Sequence, residues 1–544
     1  MPTMPFKQQY AGGLTTLSYR GTSAEQQAIL WDGINLNSAF LGLFDLSNLP
    51  LLGNHSYSGI STANTLIDAN GTMGIRLNLN TKNNFEKDNI IISNQVASFG
   101  TFSNQVSTSF TDGKNNIQLN TLYQKAKNNY TYTENGQKKR VDNADFNFWD
   151  VHAKWATKFN YNWRLQTDFW VQNHFRNVPF AANKPFLIDE AIRAKSHLSY
   201  NNSSIHLKTT QTIAFFNETI NYNDDVSELN RFISQSRLTK SWMRIEIDTK
   251  LNYEYQQAKT QNYHSTQTRN LFTPNLKLKY SYKKAELFVI NSTTLIDDKI
   301  QPLNFKFIYQ QRLSKKATIN YLFTRNSRLP TFNELYWNPG GNENLKAEIG
   351  FENELSFSYW TRPPKLYTLK HSFSTNIYHR LVNNLVQWAR IDNPYFEAQN
   401  LRKVRSWGIE FNYNLYQKSK HHKNELSISG GYINSVIVDD LKYFLPYIPK
   451  INFATNYKYT YKQKNALFIE GLVNSKQYTT NDNSSFIKAY GLLNAGIIKS
   501  FIIDNQQIET ILTINNLLNQ SYQTFSNRPA IGRNFSLTIK LNLQ

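Results

Sequence analysis

Three groups of side chains have the types that metal binding or proton transfer needs: His421-His422, Asp224-Asp225 with Glu228, and Glu334 within TFNELYW. The two histidines stand in a lysine-rich turn, Lys418 to Lys423, where solvation is the simpler reading. The acidic trio lacks the regular oxygen spacing of a calcium loop. Glu334 has no paired carboxylate, Ser/His/Asp set or phosphate-cradling glycine loop to work with. The chain has no cysteine, which excludes disulfides and thiolate metal sites. These residues predict neither an enzyme nor a metal or cofactor site. Near the N-terminus, Gly12, Gly13, Gly21 and Gly33 permit backbone turns with positive φ. Arg20 and Asp32 precede two of them, and would either pair with each other or face charges on a surrounding wall.

The elements that must position these residues are β-hairpins. From Ile451, the residues Ile451, Phe453, Tyr457, Tyr459 and Tyr461 share one parity, while Asn452, Asn456 and Lys458 share the other. The same period of two sets Leu276, Leu278, Tyr280 and Tyr282 against Lys277 and Lys279, and Phe535 to Leu543 against Asn534 to Asn542. Runs of this kind approach ten residues, where soluble strands average about five or six. Tyr and Phe recur near strand ends, as in the aromatic girdle of a membrane barrel. Short basic turns, at Lys283-Lys284, Lys315-Lys316 and Lys462 to Lys464, alternate with longer connections at Lys125–Asp145, Asn217–Glu228 and Ser475–Ser485.

Composition narrows the class. Mean hydropathy is −0.55, yet 14% of residues are aromatic, too many for a disordered chain. No run is long and apolar enough for a membrane helix. A sheet in lipid must close on itself, because its backbone groups have no water to bond. The pattern therefore predicts an all-β fold, a large antiparallel transmembrane β-barrel. Residues 83–544 supply about 22 strands at roughly 21 residues per strand and connection, a size associated with a plugged lumen. Residues 1–82 are then the stopper. Net charge is +21, from 60 Lys+Arg against 39 Asp+Glu. The cations are dispersed over turns and form no docking stripe, so nucleic acid is not expected and anionic lipid headgroups suit them better.

Three separated stretches resemble the TonB-dependent outer-membrane receptors. They are LSYRGTSAEQQAILWDGINLN with FDLSNLPLL, then residues 325–359 (RNSRLPTFNELYWNPGGNENLKAEIGFENELSFSY), then the tail from residue 514. The resemblance implies a small α/β plug over residues 1–82 inside a barrel of residues 83–544. It implies the TonB–ExbB–ExbD complex as energising partner, a small organic or metal-chelate ligand, outer-membrane lipid, and a Gram-negative outer membrane as location. Because the chain starts at FKQQYAGG, already inside the plug, further plug residues, a signal peptide and a TonB box are expected upstream. Arg20, Gly21, Asp32 and Gly33 match plug positions that hold and gate the stopper, and Glu334 matches a rim anchor. Tyr10, Gly12, Gly13, Asn37, Ser38, Phe40 and Leu41 match apical loops that face ligand. The segment GINLNSAFLGLFDLSNLP is most similar to the cobalamin branch, with ferric siderophores as the alternative ligand. A non-energised remnant, or a docking barrel partnered by a surface lipoprotein, are the remaining alternatives.

Overall fold

The computed structural model describes residues 6–49, 55–60, 72–81, 83, 85–134, 136–361, 368–390, 394–438, 443–504 and 506–543. Its wall is a closed antiparallel barrel of 22 long strands, the last, Asn534–Leu543, pairing with the first, Asn89–Ala97. A two-residue pair, Leu295–Ile296 with Lys299–Ile300, branches from strand Gln267–Tyr282 above the main ladder. Wall strands run from 8 residues (Ala285–Ser292) to 22 (Thr368–Ala389 and Glu397–Lys418). Around the closing seam they are short, at 9 or 10 residues in Asn89–Ala97, Gln506–Asn515 and Asn534–Leu543.

The period of two sorts side chains between lumen and lipid. In strand Phe146–Lys158, Asp150, His152 and Lys154 are buried inside, while Trp149 and Trp155 are exposed on the outer face. Lys277 lies inside and Leu278, Tyr280 and Tyr282 outside, as their parity predicts. Apolar side chains outward and charged ones inward suit lipid on one side and a filled lumen on the other.

Two of the expectations need correction. The lumen domain is not α/β. Among the described residues its regular structure is a four-stranded sheet in the order Ile34–Asn35, Ala28–Trp31, Arg76–Thr81, His55–Ile60, a hairpin of Phe6–Gln8 with Thr15–Leu17, and two 3-10 turns. Ala28–Trp31 and Arg76–Thr81 are parallel, a pairing whose crossover is usually a helix. In the described part of that connection Gly42, at φ +73, makes a turn closed by its N–H on Ser38 O. The α-helix of the described residues, Phe332–Tyr336, lies instead in a long wall connection. Asn217–Glu228 is also no loop. Strands Leu207–Tyr222 and Asp225–Trp242 run through it, and Asn223-Asp224, both at positive φ, make a two-residue turn. The expected junction at residues 82 and 83 falls partly outside the described residues.

Candidate functional site

The turn Tyr19-Arg20-Gly21-Thr22 projects one guanidinium from the plug into the wall. Thr22 N donates to Tyr19 O at 3.0 Å, and Arg20 and Gly21 both take positive φ. A Cβ on Gly21 would lie 2.6 Å from Ser435 Oγ and 2.8 Å from Ser406 Oγ, so only glycine lets the turn come this close. Arg20 Nη1 donates to Glu352 at 2.8 Å and to Glu354, and Nη2 donates to Glu410 at 2.7 Å. Tyr19 Oη also bonds Glu410, and the Tyr378 ring lies 4.3 Å from the guanidinium. Arg380 donates to Glu352 at 2.6 Å and to the Arg20 carbonyl at 3.3 Å. Burial opposes the Arg20 charge, but Glu410 and the other carboxylates outweigh it and hold the group protonated. A planar fork serving several carboxylates is an arginine role that lysine would not fill.

Across the lumen, the plug meets the wall through many smaller contacts. Asp32-Gly33 forms a two-residue turn at positive φ. Asp32 accepts from Thr81 N at 2.9 Å and from Lys195 Nζ at 2.5 Å. Lys195 also lies 3.7 Å from the Trp31 ring centroid. Trp31, fully buried, packs edge-on to Trp170 and stacks on Phe216 within an apolar cluster that includes Leu17, Ile29 and Leu79. Asp45 caps the 3-10 turn Leu46–Asn48 and pairs with Arg176 at 2.9 Å. Asn48 bonds His174, which in turn bonds Asp150 at 2.9 Å.

Above these contacts the apical loop 35–45 is fastened by Asn37. Its Nδ2 donates to Gln27 O and Gly42 O at 2.9 and 2.7 Å, and its Oδ1 accepts from Ile29 N. Main-chain bonds from Phe332 N to Ala39 O and from Asn333 N to Phe40 O join this loop to helix Phe332–Tyr336. Thr331 and Glu334 form that helix's capping box, and Arg328 ties Glu334 to Glu348. A cavity of about 1220 Å³ opens over the loop, walled by Phe40, Leu41, Leu43, Trp337, Trp388 and Phe396. Lys7 lines it too, its ammonium pushed down to about 8 by burial, with Glu25 opposing. A second cavity of about 410 Å³ shares Phe40, Leu41 and Leu43 but borders Tyr10, Asp45, Asn48 and Arg176. The loop is thus a partition between two chambers. A third space of about 220 Å³, between plug and wall, shares Glu25, Arg328 and Thr331 with the largest.

The family model for TonB dependent receptor-like β-barrels matches residues 31–517. The chain is a TonB-dependent receptor. That family is not catalytic. Its members are outer-membrane proteins of Gram-negative bacteria that import a small molecule or metal chelate at the expense of the TonB–ExbB–ExbD complex. Among solved structures, the receptor is similar to the FrpB iron transporter from Neisseria meningitidis (TM-score 0.81, 12% identity, covering 100% of this chain and 95% of that one). It is similar also to the copper transporter OprC (TM-score 0.80, 13% identity, 100% and 94%) and to the siderophore receptor PiuA from Acinetobacter baumannii (TM-score 0.77, 12% identity, 100% and 93%). No curated protein sequence matches the chain.

The structure decides between the two arrangements open for the plug charges. Arg20 and Asp32 do not pair with each other, because each faces the receptor wall, toward Glu352, Glu354 and Glu410 in one case and Lys195 in the other. Tyr10, Ser38, Phe40 and Leu41 line the chambers. Gly12 and Gly13 instead let the backbone pass the rings of Phe146 and Tyr10, and the Asn37 amide is spent on plug backbone at Gln27, Ile29 and Gly42. Burial raises the Tyr10 hydroxyl to about 12. Sequence reasoning missed the wall carboxylates, although parity marks them. In FENELSFSYW, Phe351, Leu355 and Phe357 share the outward face, which leaves Glu352 and Glu354 inward. It also missed Trp337, whose long connection gives no periodic signal, and Trp388, which follows register shifts between Val382 and Val386 in strand Thr368–Ala389.

Proposed function

We propose that this receptor captures a metal chelate in the upper chambers and admits it along the plug when TonB draws on the stopper. The observation that carries the reading is shared lining: one cavity of about 1220 Å³ is walled by the plug's Phe40, Leu41 and Leu43 and by Trp337, Trp388 and Phe396 of the wall and its connections. An occupant therefore touches the part that must move. Apolar walls with a few polar groups suit a bulky organic shell around a metal. The solved structures described above bear names of iron, siderophore and copper transport, and these favour a siderophore-type chelate over cobalamin. In this reading residues 1–82 are the plug and 83–544 the wall. Tyr10, Ser38, Phe40 and Leu41 contact ligand, and Gly12, Gly13 and Asn37 shape the loops that present them. Arg20, Gly21, Asp32 and Gly33 hold the plug until it is drawn.

Equilibrium binding to detergent-purified receptor, across a panel of ferric and cupric chelates with cobalamin as control, tests this. Saturable chelate binding that weakens in Phe40→Ala and Leu41→Ala is expected. Saturable binding of cobalamin alone would overturn the choice of ligand.

A further inference from the structure

The short-turn rim lies at the opposite end of the wall from the chambers, and its charge differs from that of the long-connection rim. Lys283, Lys284, Lys315 and Lys316 are exposed, and none is ion-paired among the described residues. Nearby acids are already engaged lower on the strands, Glu246 by Lys277 at 3.0 Å and Glu286 by Lys279 at 2.8 Å. Elsewhere on that rim Lys423 pairs with Glu425 at 2.9 Å, and on the long-connection rim Lys139 and Lys184 pair with Glu134 and Asp142.

The basic rim is also ringed by outward aromatics that each carry a cation. Lys240 lies 5.6 Å from the Trp242 ring, and Arg244 and Lys283 lie 5.0 and 5.2 Å from Tyr282. Lys462 lies 5.3 Å from Tyr461 and Lys499 5.0 Å from Phe501. These rings are exposed on the lipid face. Aromatic side chains at that level mark the boundary between hydrocarbon and headgroups, so the cations stand where phosphates would be.

We propose that the short-turn rim is a collar that binds anionic phospholipid headgroups in the adjoining leaflet. Each ammonium or guanidinium faces a phosphate while its aromatic partner lies against the acyl chains. A soluble polyanion would gain nothing from rings turned toward lipid, which is why lipid is the occupant chosen.

The test uses the full chain in nanodiscs of phosphatidylcholine containing about one-third phosphatidylglycerol, a level at which surface charge is pronounced. Lipids retained after mild detergent release are counted by native mass spectrometry. Wild type should retain phosphatidylglycerol well above its share of the bilayer, and the variant K283Q/K284Q/K315Q/K316Q should lose most of that excess. Retention at the bilayer ratio by wild type would overturn the collar. So would an excess that survives in the variant, or one that instead disappears in K138Q/K139Q on the far rim. If the fourfold variant does not fold, a salt titration of wild type decides: the excess must fall as ionic strength rises, and an excess indifferent to salt would overturn the proposal.

Discussion

The plug meets its wall on two sides that are built differently. On one side a single guanidinium, Arg20, gathers Glu352, Glu354 and Glu410 in a buried cluster. On the other, Trp31, Asp32, Asp45 and Asn48 spread their contacts over an apolar bed and four wall strands. The first arrangement concentrates retention at one point, and the second distributes it. Each also neighbours a different chamber. The larger cavity reaches Gly21, Thr22 and Ser23 beside Arg20, and the smaller reaches Asp45 and Asn48. A point contact next to the ligand can be released by a small displacement, whereas a bed must be peeled. The difference points to the Arg20 side as the place where plug movement begins.

Arg20→Ala should have the largest effect. It leaves three buried carboxylates with Arg380 as their remaining arginine, a defect of about 3–5 kcal/mol by analogy with other broken buried pairs. Single-channel recording in planar bilayers should show a leak, together with faster hydrogen exchange at residues 19–22. An intact, closed Arg20→Ala channel would refute the point contact. Trp31→Ala removes a comparable amount of packing, about 3 kcal/mol, but from a bed with many other contacts. Exchange should quicken at Ala28–Trp31 without a leak, and a leak larger than that of Arg20→Ala would reverse the comparison.

Asn48→Ala sharpens it further. The substitution removes bonds to His174 and Asp189 and should cost about 1–2 kcal/mol. That cost should appear as exchange confined to Ser47–Leu49, while opening elsewhere would show that the bed is less divided than its contacts suggest. The smallest effect concerns Lys7 in the larger chamber. Burial lowers its pKa to about 8, so it is charged below that pH and neutral above it. Affinity for an anionic chelate should fall as pH rises through about 8, by no more than tenfold per pH unit. Lys7→Gln should flatten the profile at its high-pH level. A profile unchanged by the substitution would remove Lys7 from the ligand's surroundings.

The wall was legible because its physics is local. Neighbouring residues report opposite faces, and that parity recurs in strand after strand, from Leu276–Tyr282 to Phe535–Leu543. The turn at Asn223-Asp224 escaped because strands that rise above the membrane carry Asn, Asp and Glu, which read as loop. In the plug, Arg20 and Asp32 stood out by type and by their following glycines. Their wall partners lie more than a hundred residues away and are fixed only when the barrel closes. The α/β expectation failed for another reason: it came from resemblance, not from a helical period in residues 36–49. The chambers were the least legible feature, since their walls come from connections whose shape depends on the assembled rim.

The unequal heights of the wall determine how the molecule sits in its membrane. Strands of 9 and 10 residues at the closing seam, at about 3.3 Å per residue and a tilt near 40°, rise only ~23–25 Å, just the depth of the apolar layer. Strands of 22 residues elsewhere in the wall rise ~55 Å on the same reckoning and must stand well clear of it. Neither the seam nor the 8- and 9-residue strands Ala285–Ser292 and Asn304–Arg312 have spare length, so these short strands together set the waterline, and the tall side rides above it like a raised gunwale. Adding or removing a pair of residues in one of these short strands would shift the waterline on its side of the vessel, while the same change at the top of a tall strand would leave its draught unaltered.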